Sequence, residues 1–103
     1  MESGKLNDFE SVLDSIYQYY GVDILSGKRD RLTSDFRKMF CSHMYRTTRM
    51  TLSDIGKVID KSVGNVFYYI TTHDKQMEES KAYADRFADF QDRMKGSAIK
   101  LIP

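Results

Sequence analysis

The stretch Arg46–Ile70, RTTRMTLSDIGKVIDKSVGNVFYYI, constrains this chain more than any other. It reads as two short amphipathic helices separated by a tight polar break. In the first, about Leu52 to Ile59, the side chains of Leu52, Ile55, Val58 and Ile59 share one face around the small Gly56. The break is Asp60-Lys61-Ser62. The second helix begins near Val63, and its spacing predicts Val63, Val66, Phe67 and Ile70 facing inward. This is the layout of a helix-turn-helix, spanning about residues 52–73, whose second helix enters a DNA major groove. The expectation is nucleic-acid recognition, with no catalysis.

Charge follows the same stretch. The net charge of +1 conceals an acidic segment, residues 1–23, where Lys5 stands against Glu2, Asp8, Glu10, Asp14 and Asp23. Residues 28–61 are the reverse, with nine basic groups against four acidic ones. A polyanion would feel that basic segment although the whole chain is nearly neutral. With 103 residues the chain has room for one helical domain, expected over residues 1–95, followed by a flexible tail from Gly96 to Pro103. Cys41 is the only cysteine, which excludes an internal disulfide and any zinc site built on cysteine pairs. No apolar run approaches the roughly 18 residues that span a bilayer, and the polar N-terminus lacks the character of a signal peptide. The expected location is the cytoplasm of a bacterial or phage-infected cell, with no membrane contact.

Outside the helix-turn-helix, periodicity predicts three more helices and no strand, so the fold class is all-α, a five-helix bundle. Phe9, Val12, Leu13, Ile16, Tyr17 and Tyr20 mark the first, from Asn7 as cap to Gly21 as stop. A second is predicted from Thr33 or Ser34 to about Arg46, with Phe36, Met39, Phe40, His43 and Met44 on one face. The last, about Asp74 to Met94, repeats Met77, Ala84, Phe87, Phe90 and Met94. Thr51 with Asp54, and Ser62, are the expected caps of the two helix-turn-helix helices.

Candidate DNA contacts follow from placement. Lys28, Arg29 and Arg31 form a basic connector, suited to phosphates or a minor groove. Arg37 and Lys38 are expected in the first turn of a helix, an unfavourable place for cations, which points to an anionic partner. Lys61, Ser62 and Asn65 open the recognition helix, where Asn pairs with adenine and Lys donates to guanine or phosphate. Gly64 permits close approach of backbone to DNA, at a cost to the helix of about 1 kcal/mol against alanine. Tyr68 is open to a base or phosphate while Tyr69 is expected to pack, and Arg46, Arg49 and Lys57 are peripheral phosphate contacts or plain surface. His43 and His73 lack partners at metal-ligand spacing, so no metal and no cofactor is expected. His43 reads as a satisfied, partly buried histidine, and Cys41 as a buried mid-helix thiol.

These residues together resemble the C-terminal DNA-binding domain of the bacterial replication initiator DnaA, a helical fold akin to the Trp repressor. TLSDIGKVI, from Thr51 to Ile59, matches that family's Ser-Leu-x-x-Ile-Gly helix. Lys28-Arg29-Asp30-Arg31 lies where the family has its basic loop, and Arg37 where it has an arginine in the preceding helix. The likeness spans roughly Tyr17 to Ile70. It implies double-stranded DNA as partner, in replication or transcription control, for a stand-alone protein of phage or mobile-element type. The family's recognition helix opens Gly-Arg-Asp-His-Thr-Thr-Val, whereas here Asp60-Lys61-Ser62-Val63-Gly64-Asn65-Val66 stands in its place. Lys61 keeps the charge and Val66 the core valine; the base-reading groups differ, which implies a different target. The alternative expectation is a protein–protein module, dimerising or binding a host replication factor, that has lost specific DNA binding. Neither reading involves a small-molecule substrate.

Overall fold

The computed structural model describes residues 3–99, with side chains placed from 9 to 95. Among the described residues it is all-helical, with α1 (Ser3–Tyr20), α2 (Arg31–Thr47), α3 (Leu52–Ile59), α4 (Val63–Glu79) and α5 (Lys81–Ile99). The predicted fold class holds. Gly21 stops α1 as expected, at φ 69°, its N–H donating to the Tyr17 carbonyl at 2.9 Å. Thr51 and Asp54 form the reciprocal cap of α3, and Ser62 accepts from the Asn65 N–H to cap α4.

Other boundaries move. α1 already runs from Ser3, so Asn7 lies inside it instead of capping it. α2 is capped by Asp30, whose carboxylate accepts from the Thr33 hydroxyl at 2.7 Å and from its N–H, so the helix starts at Arg31. The break between the last two helices falls at Ser80 and not near Asp74. Ser80 closes α4 by donating to Gln76 O at 2.9 Å, and its hydroxyl accepts from Tyr83 N at 3.1 Å to open α5. Met77 therefore belongs to α4. The tail predicted as loose is helical from Gly96 to Ile99, and residues 100–103 lie outside the described residues.

α2 is the central element, packed on α1, α3 and most extensively α4, with α5 closing the bundle against α4 and α1. Phe36, Phe40, Phe90, Ile16, Met39 and Met44 are the largest fully buried side chains. Tyr20 ties the two ends of the chain together. Its ring lies 4.5 Å from Phe36, and its hydroxyl donates to Asp89 of α5 at 2.6 Å. Cys41 is buried as expected, and burial pushes its thiol up to about 12, leaving it no reactive thiolate. No helix among the described residues is long and apolar enough to cross a membrane.

Burial lowers the pKa of both histidines. His43 is half-buried against the edge of Phe90, and burial lowers its pKa; its Nδ1 has no hydrogen-bond partner, so only the partly buried half of the expectation holds. His73 is 2 % exposed, packs 4.4 Å from the Phe87 ring and meets the Tyr83 hydroxyl through Nδ1 at 2.7 Å. Burial lowers its pKa from 6.5 to about 4. A histidine depressed in the fold binds its proton more readily when unfolded, so stability is full above pH 6.5 and falls as pH drops towards 4. The loss over that window is expected to reach at most about 3 kcal/mol, from 1.36 kcal/mol per pKa unit. Urea midpoints at pH 7 and pH 4.5 check it. The His73→Gln variant should be less stable throughout but show a flatter slope, and an unchanged slope would exclude His73 as its source.

Candidate nucleic-acid interface

The helix-turn-helix corner is set by one glycine. Asp60 takes a left-handed conformation, φ 58° and ψ 50°, which aspartate tolerates better than most residues. Its N–H and that of Lys61 both turn back to the Gly56 carbonyl, the latter at 2.9 Å. A Cβ built on Gly56 would stand 2.4 Å from the Lys61 carbonyl oxygen, a backbone atom that cannot swing aside. Only glycine allows the chain to pass this close. Behind the corner, Ile55, Ile59, Val66 and Ile70 are buried and lock α3 onto α4.

The front of the corner is open. Ser53, Gly56, Lys57, Asp60, Lys61, Ser62, Val63 and Asn65 border one shallow groove of about 550 Å³, in which two lysines stand against one carboxylate. The structure thus brings together four of the predicted contacts, Lys57, Lys61, Ser62 and Asn65. Lys57 and Lys61 are exposed and form no ion pair among the described residues. The Ser62 oxygen accepts from Asn65 N at 3.1 Å, which leaves the serine proton and the whole Asn65 amide free to meet a ligand. Gly64 and Tyr68 follow on the exposed side of α4, and a Cβ on Gly64 would meet nothing closer than 3.8 Å. Tyr69 is half-buried against the core, as expected. Phe67 and Val63, predicted to face inward, are instead 58 % and 48 % exposed. The buried side follows Val66, Ile70 and His73, and Phe67 lies one residue, roughly 100°, beyond it. Val63 is inward in phase but lies in the first turn, beyond the reach of the core.

The connector carries Lys28 and Arg29, exposed, with Arg31 exposed at the first position of α2. It lies alongside α3: Leu25 of the connector and Lys57 of α3 border the same cleft. Arg37 and Lys38 depart from the expected first-turn placement. They sit beyond the first turn of α2, and their charges are answered inside the protein. Arg37 is 5 % exposed, and its guanidinium donates to three connector carbonyls, Nε to Ile24 at 2.9 Å, one terminal nitrogen to Lys28 at 2.8 Å and the other to Ser26. Lys38 is partly buried, donates to Gln76 of α4 at 2.6 Å and lies 3.7 Å from buried Asp35. Arg46 is surface, forked onto Asp74 of α4 at 2.8 and 2.9 Å.

Two roles escaped the sequence. Arg37 is the staple of the basic connector, and nothing in composition marks which arginine reaches backbone carbonyls. Asp35, buried on α2, lies 3.7 Å from Arg86 of α5. No group of three or more histidine, cysteine, aspartate or glutamate side chains gathers at metal-binding distance among the described residues. No protein-family model matches the chain, and no curated protein or solved structure shows significant similarity to it.

The two glycines of the corner should respond oppositely. Gly56→Ala should lower stability by about 1–2 kcal/mol, because overpacking outweighs the helix propensity gained. Gly64→Ala should raise it by about 0.5–1 kcal/mol, since the position is helical and open; thermal melts distinguish the two. Removing the staple with Arg37→Gln should cost about 3 kcal/mol, the scale of losing charged hydrogen bonds at buried carbonyls. The same variant should speed tryptic cleavage after Lys28 and Arg29. Unchanged stability and cleavage would return Arg37 to the surface role predicted for it.

Proposed function

We propose that the protein binds double-stranded DNA, with the first half of α4 in the major groove and Lys28, Arg29 and Arg31 on flanking phosphates. The observation that carries this reading is the open front of the helix-turn-helix corner. Unpaired lysines and free hydrogen-bonding groups are gathered there on the N-terminal end of a helix whose other side is anchored in the core. That end also carries the positive pole of the helix dipole, which favours an anionic ligand. Lys57, Lys61 and the connector cations position the protein through phosphates, while Ser62 and Asn65 reach base edges. The resemblance of Thr51–Ile59 and of the basic connector to the DnaA C-terminal domain supports the same assignment, with a role in replication or transcription control.

Titration of fluorescent duplex DNA across salt concentrations tests the proposal. Each neutralised phosphate adds about −0.9 to the slope of log K against log salt, so a steep slope is expected. Arg29→Ala and Arg31→Ala should each make the slope shallower by about one on any sequence. Lys61→Ala should act in the same way, whereas Asn65→Ala should weaken preference among sequences. Absence of salt-sensitive binding would rule the reading out. A second reading, an interaction module, draws on the cleft of about 700 Å³ between α1, the connector and α3, where Phe9, Leu13, Leu25, Met50 and Val58 present apolar surface. A monomer in solution with tight DNA binding and no protein partner would exclude it.

A further inference from the structure

The outward side of α4 has a composition of its own. Buried Val66, Ile70 and His73 mark the inner side. At roughly 100° per residue, Gly64, Tyr68 and Thr71 fall opposite, flanked by Phe67 on one side and Asn65 on the other. All five are exposed, Phe67 and Tyr68 by 58 % each. Two exposed aromatic side chains on adjacent positions of an otherwise anchored helix call for a ligand surface. The Thr71 hydroxyl commits its proton to its own helix, 3.1 Å from the Phe67 carbonyl and 3.2 Å from that of Tyr68. Its methyl group is then the part most available for contact.

What the stripe lacks is as informative. Between Ser62 and Thr72 there is no arginine, no glutamine and no carboxylate. The forked donor that recognises guanine O6 and N7 is missing, and so is the acceptor that takes the cytosine amino group. What remains is one amide, able to pair bidentately with adenine, and apolar groups, which contact the thymine C5-methyl. Lys61 precedes the stripe and Lys75 follows it, both exposed and without an ion pair among the described residues. Cations at both ends of an apolar stripe match a groove walled by phosphates. A two-fold contact with a second copy would instead bring like charges into one interface.

We propose that α4 selects A·T over G·C base pairs in the major groove, with Asn65 on adenine and Phe67, Tyr68 and the Thr71 methyl against thymine C5-methyl groups. This rests on the DNA-binding reading above and specifies what that site reads. Lys61, outside the stripe, serves a phosphate.

Uracil differs from thymine only by that methyl group, so it isolates the contact. A short A·T duplex, the same duplex with uracil for thymine, and a G·C duplex are titrated with the full chain at one salt concentration. The A·T duplex should bind tightest, with uracil weakening it about fourfold for each methyl contacted, the transfer free energy of one buried methyl-sized group. The exposed position makes Phe67→Ser compatible with folding, which a thermal melt checks. That variant should shrink the thymine–uracil difference while keeping salt-sensitive binding. Equal affinity for the thymine and uracil duplexes, with binding intact, overturns the proposal and leaves the DNA-binding reading standing. No binding to any of the three removes both. A dimer that Phe67→Ser disperses would assign the stripe to a second copy and would also overturn the proposal.

Discussion

The close passage of Gly56 beneath the Lys61 carbonyl sets the geometry on which the open side of this protein depends. With the two backbones in contact, the turn closes in three residues, and both Asp60 and Lys61 hydrogen-bond back to a single carbonyl. α4 then leaves the corner in a direction decided by backbone, and Val66 and Ile70 complete the contact with α3 and the core. The first turn of α4 overhangs the core, which is why Val63 stays exposed although its phase along the helix is inward. A side chain at position 56 would open the corner and move every group from Lys61 to Tyr68 together. The glycine costs α3 some helix propensity, and the corner is where that cost is offset.

Arg37 does for the connector what Gly56 does for the turn. Carbonyls of an irregular segment near the core need donors, and one guanidinium supplies three of them at residues 24, 26 and 28. The planar fork suits this task; lysine could satisfy only part of it. Arg37 thereby holds the segment that carries Lys28 and Arg29. A cation that the sequence offered to an anionic partner thus serves the protein's own backbone, while Lys28 and Arg29 stay exposed.

Most of the fold was legible because local chemistry and the three-dimensional result agree. Thr51 with Asp54, Ser62 and Gly21 each do what their residue types announce, and the α3 face needs no tertiary information. The break at Ser80 was not legible. It sits in Gln-Met-Glu-Glu-Ser-Lys-Ala, a run of good helix formers, where a single serine acts as cap only because α5 must fold back onto α4. Phe67 was misplaced for a related reason: in Val-Phe-Tyr-Tyr-Ile either of two phases buries apolar groups, and contact with α3 chooses Val66 and Ile70. At the groove, Lys61, Ser62 and Asn65 were readable as neighbours from spacing, whereas Lys57 read only as a peripheral contact or plain surface. Arg37 and Lys38 were not readable, since their partners lie 13 and 38 residues away in the chain.

The polar interior of α2 explains where a ligand surface can form. This helix buries Thr33, Asp35, Arg37 and Ser42 among Phe36, Met39 and Phe40. Such groups are tolerated only when answered. Thr33 bonds its cap residue Asp30, Ser42 accepts from Arg46 at 2.8 Å, and Arg37 takes the connector carbonyls. Asp35 keeps one oxygen without a hydrogen bond but lies between Lys38 and Arg86, each 3.7 Å away. Lys38, Arg37 and Arg46 are thereby committed inside the protein or to its own carboxylates. Six cations of the segment 28–61 stay exposed without an ion pair among the described residues: Lys28 and Arg29 on the connector, Arg31 at the start of α2, Arg49 before α3, and Lys57 and Lys61 at the helix-turn-helix. Leu25 and Lys57 border one cleft, which places the start of the connector beside α3. The central helix thus takes Arg37, Lys38 and Arg46 out of the basic stretch, and the charge that stays exposed belongs to the connector, to Arg31 and Arg49 at the helix boundaries, and to the helix-turn-helix.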